Sequence, residues 1–154
     1  MDNSNYKNPY AQHAPGLTAT RLTDDRSLED YLLTHGVKVT RQRLELARLL
    51  FAKKQHLSAD HLIDLLAERG RRISKATVYN TLSVFVKQGL LKEVSLHTEQ
   101  KIYDSNVEPH HHFYNTDTGQ LTDVTEPINV AQLPAPPEGT KVKAVEVVIV
   151  VSNS

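Results

Sequence analysis

From Ser27 onward, apolar side chains recur at helical spacing in four successive segments. Leu28, Tyr31 and Leu32 fall on one face of the first, and Gly36 follows where a C-terminal cap belongs. Thr40 reads as the N-cap of the second, TRQRLELARLLFAK, whose stripe is Leu46, Leu49 and Leu50. Ser58 caps the third, SADHLIDLLAER, with Leu62, Leu65 and Leu66 inward and Gly70 at its end. Ser74 caps the fourth, SKATVYNTLSVFVKQ, which Gly89 stops. Val78, Leu82 and Phe85 repeat there at i, i+4 and i+7 and define its buried face. Lys75, Thr77, Tyr79, Asn80, Ser83 and Lys87 take other positions and are residue types that contact bases and phosphates. LLKEVSL and QKIYD are short extended runs on either side of His97–Glu99, which predicts a β-hairpin.

Helices ending in one with a polar, basic face, followed by a hairpin, predict a winged helix-turn-helix. An ordinary helical bundle accounts for the apolar stripes equally well. Past Ser105 the pattern changes to HHHFYN, a turn at Thr116–Gly119, QLTDV and KVKAVEVVIVV, which predict three strands. INVAQL reads as a short helix before a Pro-rich loop, PAPPEG. The last strand is apolar on both faces near its end and would be an aggregation hazard as a free edge. Pairing it with a second copy across a two-fold axis removes that hazard. Residues 1–20 show no period and read as a disordered tail. The expected organisation is that tail, a winged-helix DNA-binding domain over 21–104, and a small α/β dimerisation domain over 105–154. The fold class is α+β.

Charge separates the two readings of the helical half. The 154-residue chain has zero net charge, yet residues 36–92 hold twelve Lys and Arg against four Asp and Glu, whereas residues 93–154 hold three against nine. A basic middle of this size is the electrostatic footprint of phosphate binding, which a plain bundle does not explain. The chain has no Cys, so disulfides, thiolate zinc sites, iron–sulfur clusters and Cys nucleophiles are excluded. Its longest purely aliphatic run, Val147–Val151, is far short of the ~20 residues of a membrane span. The first residues lack the apolar core of a signal peptide. The expectation is a cytoplasmic protein with no membrane partner.

Candidate chemistry centres on His110, His111 and His112. On a strand, His110 and His112 share one face and His111 takes the other. Two imidazoles on one face, with Asp104 upstream, Asp123 on the next strand and His56 in the helical half, suit a nitrogen–oxygen metal site. Solvated loop histidines after Pro109 are the alternative. His13, His35, His61 and His97 stand alone and read as surface or packing residues.

GVKVTRQR (36–43), HLSADHL (56–62), ISKATVYNTL (73–82) and HHHFYNTDTGQLTDV (110–124) occur in an order that resembles the ferric uptake regulator family over about residues 22–151. The Cys-free HHHFYN–TDTG–QLTDV stretch looks most like the haem-responsive iron response regulators of rhizobia and related α-proteobacteria. The resemblance implies that Lys38 enters the minor groove and that Tyr79 packs on thymine. Arg41, Arg43, Lys75, Thr77 and Asn80 complete the expected DNA-binding set. It also implies an interdomain metal site of His56, Asp104, His112 and Asp123, and haem acting at His110, His111 and His112. The family's CxxC zinc pair corresponds here to Asn115 and Thr118, so that site is absent. A second family metal site has His111 where relatives carry Asp.

Together these readings give a dimeric repressor or regulator of iron metabolism that binds pseudo-palindromic duplex DNA and responds to haem, with direct sensing of Fe, Mn or Zn as the alternative. A small metal-dependent hydrolase would need features the chain lacks: an H-E-x-x-H pair, a nucleophile or a Gly-rich phosphate loop. No enzyme activity is expected.

Overall fold

A computed structural model describes residues 24–94, Leu96 and 98–154. The expected disordered tail (1–20), His13 and His97 lie outside them. The described residues form two units, one up to Val107 and one from Glu108 to Ser154; the sequence reading put the change at 104/105.

The first unit runs α1 (Asp25–Thr34), α2 (Arg41–Leu50), β1 (His56–Ser58), α3 (Ala59–Glu68), α4 (Lys75–Lys87), β2 (Lys92–Val94) and β3 (Ile102–Asp104). Helix starts follow side-chain capping: Thr40 Oγ1, Ser58 Oγ and Ser74 Oγ each accept from the backbone N–H three residues on. α1 begins earlier than expected because Asp24 caps it, accepting from Ser27 N at 2.9 Å. Its end closes when Gly36 N donates to Leu33 O and Val37 N to Leu32 O, both at 2.9 Å. Gly36 adopts φ +73° there, a conformation costly for any residue with a Cβ. The core joins Leu28, Leu32, Leu46, Leu50, Leu62, Val78, Leu82 and Phe85, with Phe51 tilted against Phe85 at 5.7 Å between ring centroids.

β2 and β3 form the expected hairpin, and β1 pairs antiparallel on the far side of β3, giving the order β1-β3-β2. β1 was not anticipated. Its three residues show no alternation of their own and are held by β3, in the register His56↔Asp104.

The second unit carries β4 (His112–Asn115), β5 (Leu121–Asp123) and β6 (Val148–Val151) in the order β5-β4-β6, with β6 parallel to β4. Two expectations are corrected. INVAQL is not helical, because Pro127, Pro134, Pro136 and Pro137 crowd its surroundings and deprive the backbone of donors. The last strand is four residues rather than the whole of KVKAVEVVIVV, because β4 offers only four residues to pair with it. No described helix is long and apolar enough to cross a membrane.

Candidate metal centre and nucleic-acid interface

α4 turns Val78, Thr81, Leu82 and Phe85 inward and leaves Lys75, Tyr79, Asn80, Ser83 and Lys87 exposed. Tyr79 is 39% exposed, large and apolar for a surface position. Thr77 is half-buried in the cap: its N–H donates to Ser74 Oγ and its hydroxyl oxygen accepts from that of Ser74 at 2.8 Å. Lys38 is exposed between α1 and α2. Arg43 fixes that loop by donating from Nη1 to the Lys38 carbonyl at 2.9 Å. Arg41 is exposed, with Nε 3.4 Å from Glu45 Oε1.

Each His–Asp pair expected for metal binding is a directly opposed pair of an antiparallel ladder. In the first unit His56 faces Asp104, with Nε2 3.1 Å from Oδ2. Asp104 is only 1% exposed, and its other oxygen accepts from Asn106 N at 2.8 Å. Ser105 and Gln55 lock the adjoining end, exchanging bonds of 2.9 and 3.1 Å. A carboxylate this buried requires donors or a cation, and His56 can serve it by donating from Nε2 or by sharing an ion with it.

In the second unit His112 faces Asp123 across β4 and β5, with Nε2 3.5 Å from Oδ1. His110 joins them, its Nε2 3.1 Å from the same oxygen and its ring 4.3 Å from that of His112. His110 Nδ1 lies 2.6 Å from the Glu108 carbonyl. A carbonyl can only accept, so Nδ1 carries a proton, and Nε2 is the ring nitrogen that faces Asp123. Donor atoms of His110, His112 and Asp123 lie within 4.8 Å of one another. Ligands on bonds of about 2.1 Å around one ion stand roughly 3.4 Å apart, so this set fits with small adjustment.

The four-residue set that the resemblance implies leaves His110 out and gives it to haem, whereas strand alternation already puts it on the metal face with His112. The alternation holds although β4 starts only at His112, for His111 turns away and its Nδ1 accepts from Val147 N at 3.0 Å. Of the isolated histidines, His61 is exposed, and His35 packs on Tyr31 with ring centroids 4.5 Å apart.

Where a CxxC pair would stand, Asn115 organises the turn by hydrogen bonds. Its Oδ1 accepts from Asp117 N and Thr118 N at 2.9 and 3.1 Å. Its Nδ2 donates to Asn153 Oδ1 at 2.9 Å, and Asn153 N donates to Asp117 Oδ2 at 2.7 Å. The chain beyond β6 is tied to the turn without thiol or metal.

Residues 34–150 match the profile described as Ferric uptake regulator family. The chain belongs to that family. Family members are transcription regulators, not enzymes. A peroxide-responsive repressor PerR of Staphylococcus epidermidis is 31% identical over 106 residues, covering 67% of this chain and 71% of the relative. The ferric uptake regulator of Vibrio cholerae is similar in fold, with TM-score 0.65 at 20% identity over 81% of this chain and 98% of the other. That of Pseudomonas aeruginosa, solved with manganese, gives 0.62 at 22% identity over 81% and 96%. These likenesses establish the α+β fold, a winged helix followed by a small α/β domain. They lend nothing to the haem-responsive branch expected from the His triplet.

Proposed function

We propose that this ferric uptake regulator family member is a homodimeric DNA-binding repressor whose affinity for a pseudo-palindromic operator depends on a divalent ion. The observation that carries this reading is the convergence of His110, His112 and Asp123 on one small volume. The resemblance adds His56 and Asp104, whose own pairing supplies one more imidazole and one more carboxylate. All five donors are nitrogen or oxygen, a set that suits Fe(II), Mn(II) and Zn(II) alike. An ion drawing ligands from both units changes DNA affinity only as far as it binds one arrangement of them better than another. The DNA contacts fall to Lys38, Arg41, Arg43, Lys75, Thr77, Tyr79 and Asn80. Two-fold symmetry calls for half-sites ~10 bp apart or a multiple of that.

Haem sensing, which the likeness to the haem-responsive branch implied, has less support. A macrocycle needs open approach to its axial imidazole. His111 and His112 are 5% and 1% exposed, and His111 already accepts from Val147. Operator binding by apo, Mn(II)-loaded and haemin-treated protein tests the choice. Retention that needs Mn(II) and ignores haemin supports the direct sensor; release by haemin, lost when His110, His111 and His112 are all replaced by Ala, supports the other.

A further inference from the structure

The basic DNA-binding face carries a carboxylate that the core does not need. Asp60 lies in the first turn of α3, and its Oδ1 stands 3.5 Å from Lys75 Nζ, with the side chains 64% and 67% exposed. The same ammonium lies 5.9 Å from the centre of the Tyr79 ring. Beside them opens a concavity of about 400 Å³ lined by Ser58, Asp60, Tyr79, Glu99, Gln100 and Lys101. The first turn of α4, the start of α3 and the loop joining β2 to β3 therefore meet around Tyr79.

A pair this exposed holds little of the fold together. Its consequence is for where Lys75 points. Lysine has a long, flexible stem, and left to itself its ammonium seeks phosphate, which strengthens every duplex equally. Held between Asp60 and the Tyr79 ring, it stands instead beside the side chain assigned to thymine, where an ammonium can donate to the O6 and N7 of a neighbouring guanine. We propose that Asp60 is a positioning residue for specificity: it aims Lys75 at a base edge next to Tyr79 and withholds it from the phosphates. The inference rests on the DNA-binding reading above.

The test uses full-length, Mn(II)-loaded protein and a preferred duplex selected from a random library. Wild-type protein that selects no sequence would overturn the DNA-binding reading itself. Given a selected duplex, Asp60→Asn should bind it several-fold more weakly and a scrambled duplex several-fold more tightly. The ratio of the two affinities should fall about tenfold, and the log–log salt slope on scrambled DNA should steepen by about 1.8, one phosphate's worth for each protomer of the dimer. Asp60→Ser, which keeps a residue suited to a helix start, should behave the same way if Asp60→Asn folds poorly. In a Lys75→Met background the ratio should no longer respond to Asp60. An unchanged ratio in both single variants, or an equal fall with Lys75 absent, overturns the proposal.

Discussion

At the scale of single residues, the chemistry depends on which atoms oppose one another. Asp123 receives both His110 and His112, so loss of either imidazole should lower metal content. His112→Ala and His110→Ala should each fall below wild-type stoichiometry on elemental analysis, and full occupancy in His110→Ala would return that residue to a purely structural role. Imidazole ligates only when neutral, so metal retention should weaken as the buffer is made more acid. Tyr79→Ala removes an exposed apolar contact and should cost about 1–3 kcal/mol on the preferred duplex, with little change on scrambled DNA in the same anisotropy titration. Asp24 gives a pH effect of known sign. The backbone N–H and the hydroxyl of Ser27 hold its carboxyl below the usual value. A lowered folded-state value means the stabilisation is complete above the ordinary carboxylate range and is lost as pH falls through the lowered one. Asp24→Ala should speed amide exchange at Ser27 at neutral pH and remove that acid-side dependence.

At the scale of elements, local signals were legible and long-range pairing was not. Thr40, Ser58 and Ser74 announced three helix starts because each cap is a bond between residues three apart. The stripe Val78, Leu82, Phe85 is the buried face of α4, and Leu82→Ala there should cost about 2–5 kcal/mol in denaturant unfolding. β1 escaped notice because three residues carry no period and their partners lie 44–48 positions away in sequence. The same limit hid strand register. The residue types at His56, Asp104, His112 and Asp123 could be read from the chain, whereas their direct opposition across two ladders comes from pairing alone. A one-residue slip would send each His and its Asp to opposite faces. The length of β6 was misjudged because apolar sequence does not reveal how much partner strand is available. The turn organised by Asn115 invites its own test. Asn115→Ala removes two acceptor bonds and one donor bond, so amides of Asp117 and Thr118 should lose protection from exchange.

At the scale of the whole molecule, zero net charge conceals a basic segment and an acidic one. That division fits a chain whose basic segment meets phosphates and whose acidic segment, with Asp104 and Asp123, supplies carboxylates to a cation. The family was legible from four short motifs, but which ligand it senses was not. Nitrogen and oxygen donors accept several metals, and a His triplet resembles a haem site until burial and partners are known. The most direct test is operator affinity at fixed salt for wild type and His112→Ala, each as apo protein and with Mn(II). Wild type should bind the operator at least tenfold more tightly with Mn(II), and His112→Ala should bind alike with and without it. Equal affinity of wild-type apo and Mn(II)-loaded protein would contradict metal-dependent regulation.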